Sequence, residues 1–151
     1  MKKELKIRIA DYKEVEKLLE QAGAKFIKQD TSTYTYFTQP AGKVLKITQN
    51  NEGSFKTVIE RSGDQFNIIE NSALDDPKEL LEEYSKEHGI KKAMSNIRRF
   101  FEYKDLIITT NQFKDIGQFL ILEGDNPKLS FITEVLGIKN AQVITKSFDD
   151  L

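Results

Sequence analysis

Leu5, Ile7 and Ile9 fall on one side of the first segment of this chain, and Lys2, Glu4, Lys6 and Arg8 fall on the other. A period of two marks a β-strand with one apolar face, and the pattern recurs down the sequence. Segments 26–29 and 31–38 carry β-branched and aromatic residues. Strands are predicted at 43–49, 55–61 and 65–70, separated by a Pro40-Ala41-Gly42 turn and an Asn50-Asn51-Glu52-Gly53 hairpin turn. Three more follow at 93–103, 106–112 and 118–123, with a short one across the tail, 141–148.

Helical spacing interrupts the strands at three places. Asp11 stands at an N-cap position with Glu14 three residues on, then Val15, Leu18, Leu19 and Ala22 before Gly23. Asp75-Asp76-Pro77 opens a second helix with Leu80, Leu81 and Tyr84 on its buried face and Gly89 beyond its end. A third spans about 129–136 and is closed by Gly137. The sum is an α+β chain: an eight-stranded antiparallel β-barrel, closed or nearly so, with about three helices packed outside. No linker or low-complexity tract divides residues 1–151, so one domain is expected.

Composition narrows the chemistry. Apolar residues make up 38% and charged residues 31%, a globular balance. Lys plus Arg is 23 against 24 Asp plus Glu, so no global basic excess points to a nucleic-acid duplex or an anionic membrane. The absence of Cys removes disulfides, thiolate chemistry and Cys-based zinc sites, and a single His leaves no His cluster. Charges in the opening residues and the lack of a long apolar run give the cytoplasm as the expected compartment.

Two readings of the strand charges stay open on pattern alone. Glu4, Lys6 and Arg8 share one face, Lys46 and Thr48 another, and Arg98 lies with Asn96 and Phe100 while Arg99 points away. The polar face either meets bulk water or lines a polar barrel interior. In the second case converging cations suit a polyanion, and inward carboxylates suit Mg²⁺ or Mn²⁺.

The order of several motifs bears on that choice. Glu4-Leu5-Lys6-Ile7-Arg8, Thr35-Tyr36-Phe37, Gly42-Lys43-Val44-Leu45-Lys46-Ile47-Thr48, Ile97-Arg98-Arg99-Phe100-Phe101, the 116–123 segment and Lys146-Ser147-Phe148-Asp149-Asp150-Leu151 run through almost the whole chain. Together they resemble the CYTH, or triphosphate tunnel, superfamily, with its ExExK, LRLR, K-x-R, LGxFxEIE and SYxELL patterns. The resemblance implies an eight-stranded tunnel that binds triphosphorylated compounds with Mg²⁺ or Mn²⁺. Its activities include class IV adenylyl cyclase and several triphosphatases. It implies triphosphate-binding roles for Lys6, Arg8, Lys46, Arg98 and Lys146, and metal-binding roles for Glu4, Glu123 and Asn111; it assigns no catalytic residue.

Departures from the pattern are equally specific. Lys2 stands where the first Glu of ExExK falls, Thr48 and Asn96 replace basic residues, Glu60 replaces a Lys, and Asn111 and Ile121 replace acids. At an effective dielectric near 20, a unit charge ~5 Å from a divalent ion changes the energy by roughly 6 to 7 kcal/mol before screening, so the substitutions imply weak or altered metal dependence. Two function classes follow. One is a tunnel that binds a triphosphorylated small molecule or inorganic polyphosphate and hydrolyses it or, less economically, cyclises ATP. The other is a non-catalytic descendant that binds a nucleotide or polyphosphate or acts as an interaction domain. A lipocalin-like barrel for an apolar ligand is disfavoured by the strand charges. Monomer and homodimer both remain open. His88 receives no role, Tyr34, Tyr36 and Phe37 are read as packing, and Asp149 and Asp150 as solvated tail. The central expectation is that Lys6, Arg8 and Arg98 point into one shared cavity.

Overall fold

The computed structural model describes all 151 residues. Strand β1 (Lys3–Ile9) and helix α1 (Tyr12–Gln21) open the chain, followed by the meander β2 (Lys25–Phe37), β3 (Lys43–Asn50), β4 (Gly53–Ser62) and β5 (Gln65–Leu74). Helix α2 (Pro77–Glu87) leads into β6 (Ile90–Tyr103), β7 (Leu106–Phe113) and β8 (Gly117–Gly124). A π-helical turn (Phe131–Val135), a two-residue strand β9 (Gln142–Val143) and a 3₁₀ turn (Phe148–Asp150) complete it.

Hydrogen bonding runs in the order β5-β4-β3-β2-β6-β7-β8-β1, and β1 returns to β5, so eight antiparallel strands close into a barrel. The closing seam is short, with only Lys3 opposite Asn67 and Glu4 opposite Phe66. Farther along β1, β9 takes the vacant side, and the amide of Ile144 donates to the carbonyl of Lys6 at 2.8 Å. The tail therefore seals what the seam leaves open.

Alternation sorts the side chains onto two surfaces. Leu5, Ile7 and Ile9 of β1, with Ile108, Leu120 and Leu122, face outward and are covered by Val15 and Leu19 of α1 and by Phe131 and Ile132. Asp11 caps α1 by accepting from the amide of Lys13 at 3.0 Å, and Asp76 caps α2 in the same way. Helix α2 covers a smaller outer patch around Phe37, Leu45 and Ile47.

Three expectations need correction. The segments read as 26–29 and 31–38 are one strand, bent by a bulge between Phe26 and Lys28 that turns Phe26 outward onto Phe101 and Lys28 inward. The tail is not a strand across 141–148; beyond Val143 it leaves the sheet, and Ile144 and Phe148 enter the barrel. Asp149 and Asp150 are not free solvated groups, because both carboxylates pair with Lys91 on β6.

Candidate functional site

The inside of the barrel has two unlike halves. Tyr34, Tyr36, Phe66, Met94, Phe119 and Phe148 belong to an apolar mass that fills one end. The other end holds an open pocket of about 290 Å³. Its wall carries four carboxylates, Glu4, Asp30, Glu52 and Glu123, and three cations, Lys28, Lys46 and Arg98, with Thr48, Asn50, Thr57 and Asn71 between them.

Each charged group arrives by strand register. Glu4 of β1 stands opposite Glu123 of β8, so both carboxylates project from neighbouring inner positions. Burial raises the pKa of Glu123, and the charge of Glu4 raises it further. Asp30 stands opposite Arg98 and receives two hydrogen bonds from its guanidinium, Nε to Oδ1 at 3.1 Å and Nη2 to Oδ2 at 3.0 Å. The Ser32 hydroxyl donates a third at 3.1 Å. At the rim Lys28 pairs with Glu52.

Lys46 differs from the other two cations. No carboxylate lies within 4 Å of its ammonium, which sits 5.0 Å from the Tyr34 ring centre and 5.6 Å from that of Tyr36. Burial lowers its pKa, opposed chiefly by the charge of Glu4. It is the pocket's one cation without an ion-pair partner.

No family model and no curated protein matches the sequence. Solved structures do match the fold. The PH1012 protein from Pyrococcus horikoshii OT3 superposes with a TM-score of 0.87 at 21% identity, over 100% of this chain and 99% of that one. A candidate adenylate cyclase from Vibrio parahaemolyticus gives 0.75 at 12% identity, over 99% and 95%. HpAC1 from Hippeastrum, a candidate adenylyl cyclase whose structure is described as revealing a dominant triphosphatase activity, gives 0.59 at 13% identity, over 91% and 85%. The chain shares the closed eight-stranded antiparallel barrel fold of these proteins.

Within this tunnel the residues singled out by the sequence do not gather at one point. Arg98 and Lys46 line the polar pocket together with Glu4 and Glu123. Lys6 lies behind them, 5% exposed, with its ammonium 4.1 Å from the Phe148 ring centre and 5.1 Å from that of Phe66. A cleft of about 20 Å³ touches Lys6, Lys46 and Glu4. Arg8 is at the far mouth, exposed, with Nη1 donating to the Ile116 carbonyl at 2.7 Å and its guanidinium over Phe119. Lys146 is exposed at that same end, beside Lys43 and Arg61. Lys6, Arg8 and Arg98 thus do not share a cavity, because Phe148 and its apolar neighbours occupy the barrel between its two mouths.

Asn111 is also away from the carboxylates. It is 2% exposed, accepts from Asn96 at 3.3 Å and donates to Thr109 Oγ1 at 3.0 Å. Its amide is satisfied inside the tunnel wall. No group of three or more His, Cys, Asp or Glu side chains is placed to hold a metal. Glu4 and Glu123 nevertheless fit a narrower demand: Mg²⁺ is commonly held by one or two carboxylates, with phosphate oxygens and water completing its shell. The residues suit a metal that arrives with a phosphate, not a resident ion in an all-protein cage.

Asp30, Lys28 and Glu52 escaped the sequence reading. The inward row Asp30, Ser32, Tyr34 and Tyr36 has the right period, but no local pattern tells that Asp30 meets Arg98, 68 positions away.

Proposed function

We propose that the polar end of the tunnel binds a triphosphorylated small molecule, or inorganic polyphosphate, as its Mg²⁺ or Mn²⁺ complex. The observation that carries this reading is the unpaired ammonium of Lys46 beside the Glu4–Glu123 pair. A half-buried cation without a counter-ion favours an anionic ligand, and two facing carboxylates favour a cation that neutralises their repulsion. A metal–phosphate complex offers both. Arg98 adds a guanidinium whose Nη1 remains free for a phosphate oxygen. Lys6 supports the site through space, behind Lys46. Arg8 and Lys146 belong to the other mouth, away from this pocket.

Hydrolysis of a terminal phosphoanhydride is the chemistry we assign if turnover occurs. The metal would supply charge neutralisation at the phosphate, while Lys46 and Arg98 hold its oxygens. Cyclisation demands in addition a positioned ribose hydroxyl. A second reading, binding without turnover, is favoured by two observations: Arg98 is already engaged by Asp30, and only two carboxylates, Glu4 and Glu123, would face a metal.

Calorimetry and phosphate release with tripolyphosphate, ATP and thiamine triphosphate, each with Mg²⁺ and Mn²⁺, separate these readings. Metal-dependent binding with phosphate release, lost in Glu123→Gln, supports the triphosphatase. Binding without release supports the second reading. No binding of any of the three at low salt contradicts both.

A further inference from the structure

The pocket has a charge balance that a site for a bare polyanion would not have. Four carboxylates face three cations, and two of those cations are already committed. The Arg98 pair is the more firmly built of the two. Asp30 is 5% exposed, its two oxygens take the Nε and Nη2 edge of the guanidinium, and Ser32 holds it from the other side. Lys28–Glu52 is a rim pair, with side chains 40% and 47% exposed, where solvent and salt screen both charges.

We infer that Asp30 is a resident anion that occupies one edge of Arg98 and makes the site select metal-complexed over bare polyphosphates. This rests on the proposed function of the same pocket. With Asp30 in place, a free triphosphate approaches Arg98 against a carboxylate already seated on it, and meets Glu4 and Glu123 as well. Such like-charge juxtaposition rejects a wrong ligand as effectively as a clash does. A divalent cation held by Glu4 and Glu123 would reverse the balance, leaving Lys46 and the Nη1 side of Arg98 to hold phosphate oxygens. Asp30 contributes specificity by repulsion while keeping Arg98 fixed in direction.

The test measures tripolyphosphate affinity by calorimetry at low salt, in EDTA and in Mg²⁺. In the wild type binding is expected in Mg²⁺ and at least tenfold weaker in EDTA. Asp30→Asn keeps the side-chain shape and removes the charge, so metal-free affinity should rise tenfold or more and the Mg²⁺ advantage should collapse. Glu16→Gln removes the same formal charge from outside the pocket, where Glu16 pairs with Arg99, and should change metal-free affinity less than twofold. Should Asp30→Asn fail to fold, Ser32→Ala loosens the same carboxylate and should raise metal-free affinity two- to threefold. Unchanged or weakened metal-free binding in Asp30→Asn, or in Ser32→Ala where Asp30→Asn does not fold, or an equal gain in Glu16→Gln, overturns the inference while leaving the pocket's assignment intact. Wild-type protein that binds tripolyphosphate in neither condition overturns the assignment itself, and the inference with it.

Discussion

The ammonium of Lys6 lies 4.1 Å from the centre of the Phe148 ring, inside the barrel. Strand β1 supplies the cation and the last residues of the chain supply the ring, so the tail closes the tunnel against a charge that alternation alone would have left open. A cation over a desolvated aromatic face is stabilised by about 2 kcal/mol, which offsets only part of the cost of taking an ammonium out of water. Burial accordingly pulls the pKa of Lys6 down from 10.5 to about 8, with Glu4 opposing the shift.

That shift has a sign in stability. The folded chain gives up the Lys6 proton at lower pH than the unfolded chain does. Between about pH 8 and pH 10.5 the unfolded state binds more protons, and stability rises with pH. Below pH 8 the full penalty is present, on the order of 3 kcal/mol. Lys6→Met should therefore stabilise the protein by about 1–3 kcal/mol at pH 7, an advantage that fades by pH 10. Urea unfolding of both proteins at the two pH values checks it; a penalty from the substitution at pH 7 would be the wrong sign.

Phe148 also packs 4.6 Å from Phe113 and 5.0 Å from Phe119, centre to centre. Phe148→Ala should cost about 3–5 kcal/mol, as for large aromatic deletions in a core, and lower the urea midpoint accordingly. A loss under about 1 kcal/mol would mean that the tail is only loosely seated.

Facing carboxylates can be tested first without any ligand and then with one. Glu4→Gln removes the charge that, after burial, most raises the pKa of Glu123. The Glu123 carboxyl should then titrate at lower pH, read by carbon-detected NMR, and Mg²⁺-supported tripolyphosphate binding should weaken at least tenfold. An unmoved Glu123 titration would place the two groups too far apart to share a cation.

Neighbouring arginines give an internal control. Arg98 faces the pocket, whereas Arg99 turns outward, donates to Glu16 at 2.8 and 2.9 Å and lies over Phe26. Arg98→Ala should reduce tripolyphosphate binding by tenfold or more. Arg99→Ala should leave it within twofold and cost about 1 kcal/mol of stability through lost packing and pairing. Calorimetry and urea unfolding on both variants measure the contrast; equal losses of binding would remove the distinction between the two faces.

Much of the wall was legible because a period of two assigns faces directly. Glu4, Lys6 and Arg8 share the inner side of β1 as their spacing predicts, and Asp11, Asp76 and Gly89 mark helix ends as cap chemistry requires. A shared face, however, does not imply a shared site. Seven residues of β1 run from one mouth to the other, so Glu4 and Arg8 reach opposite ends. The tail's entry into the barrel was not legible, because it depends on the β1–β5 seam being two pairs long. Asp30's partner depends on the bulge at Ile27 that sets the β2–β6 register, a long-range outcome with no local marker. Asn111 read as a weakened metal ligand and Asn96 as a lost basic residue, yet they bond to each other inside the wall.

Lys46 carries the proposed function, so its removal is the most direct trial. Calorimetric titration of Mg²⁺-tripolyphosphate into the wild type and Lys46→Met should show saturable binding in the first and a loss of at least tenfold in the second, with the fold unchanged by circular dichroism. Equal affinity in the two proteins, or no heat of binding in the wild type at low salt, would contradict the account.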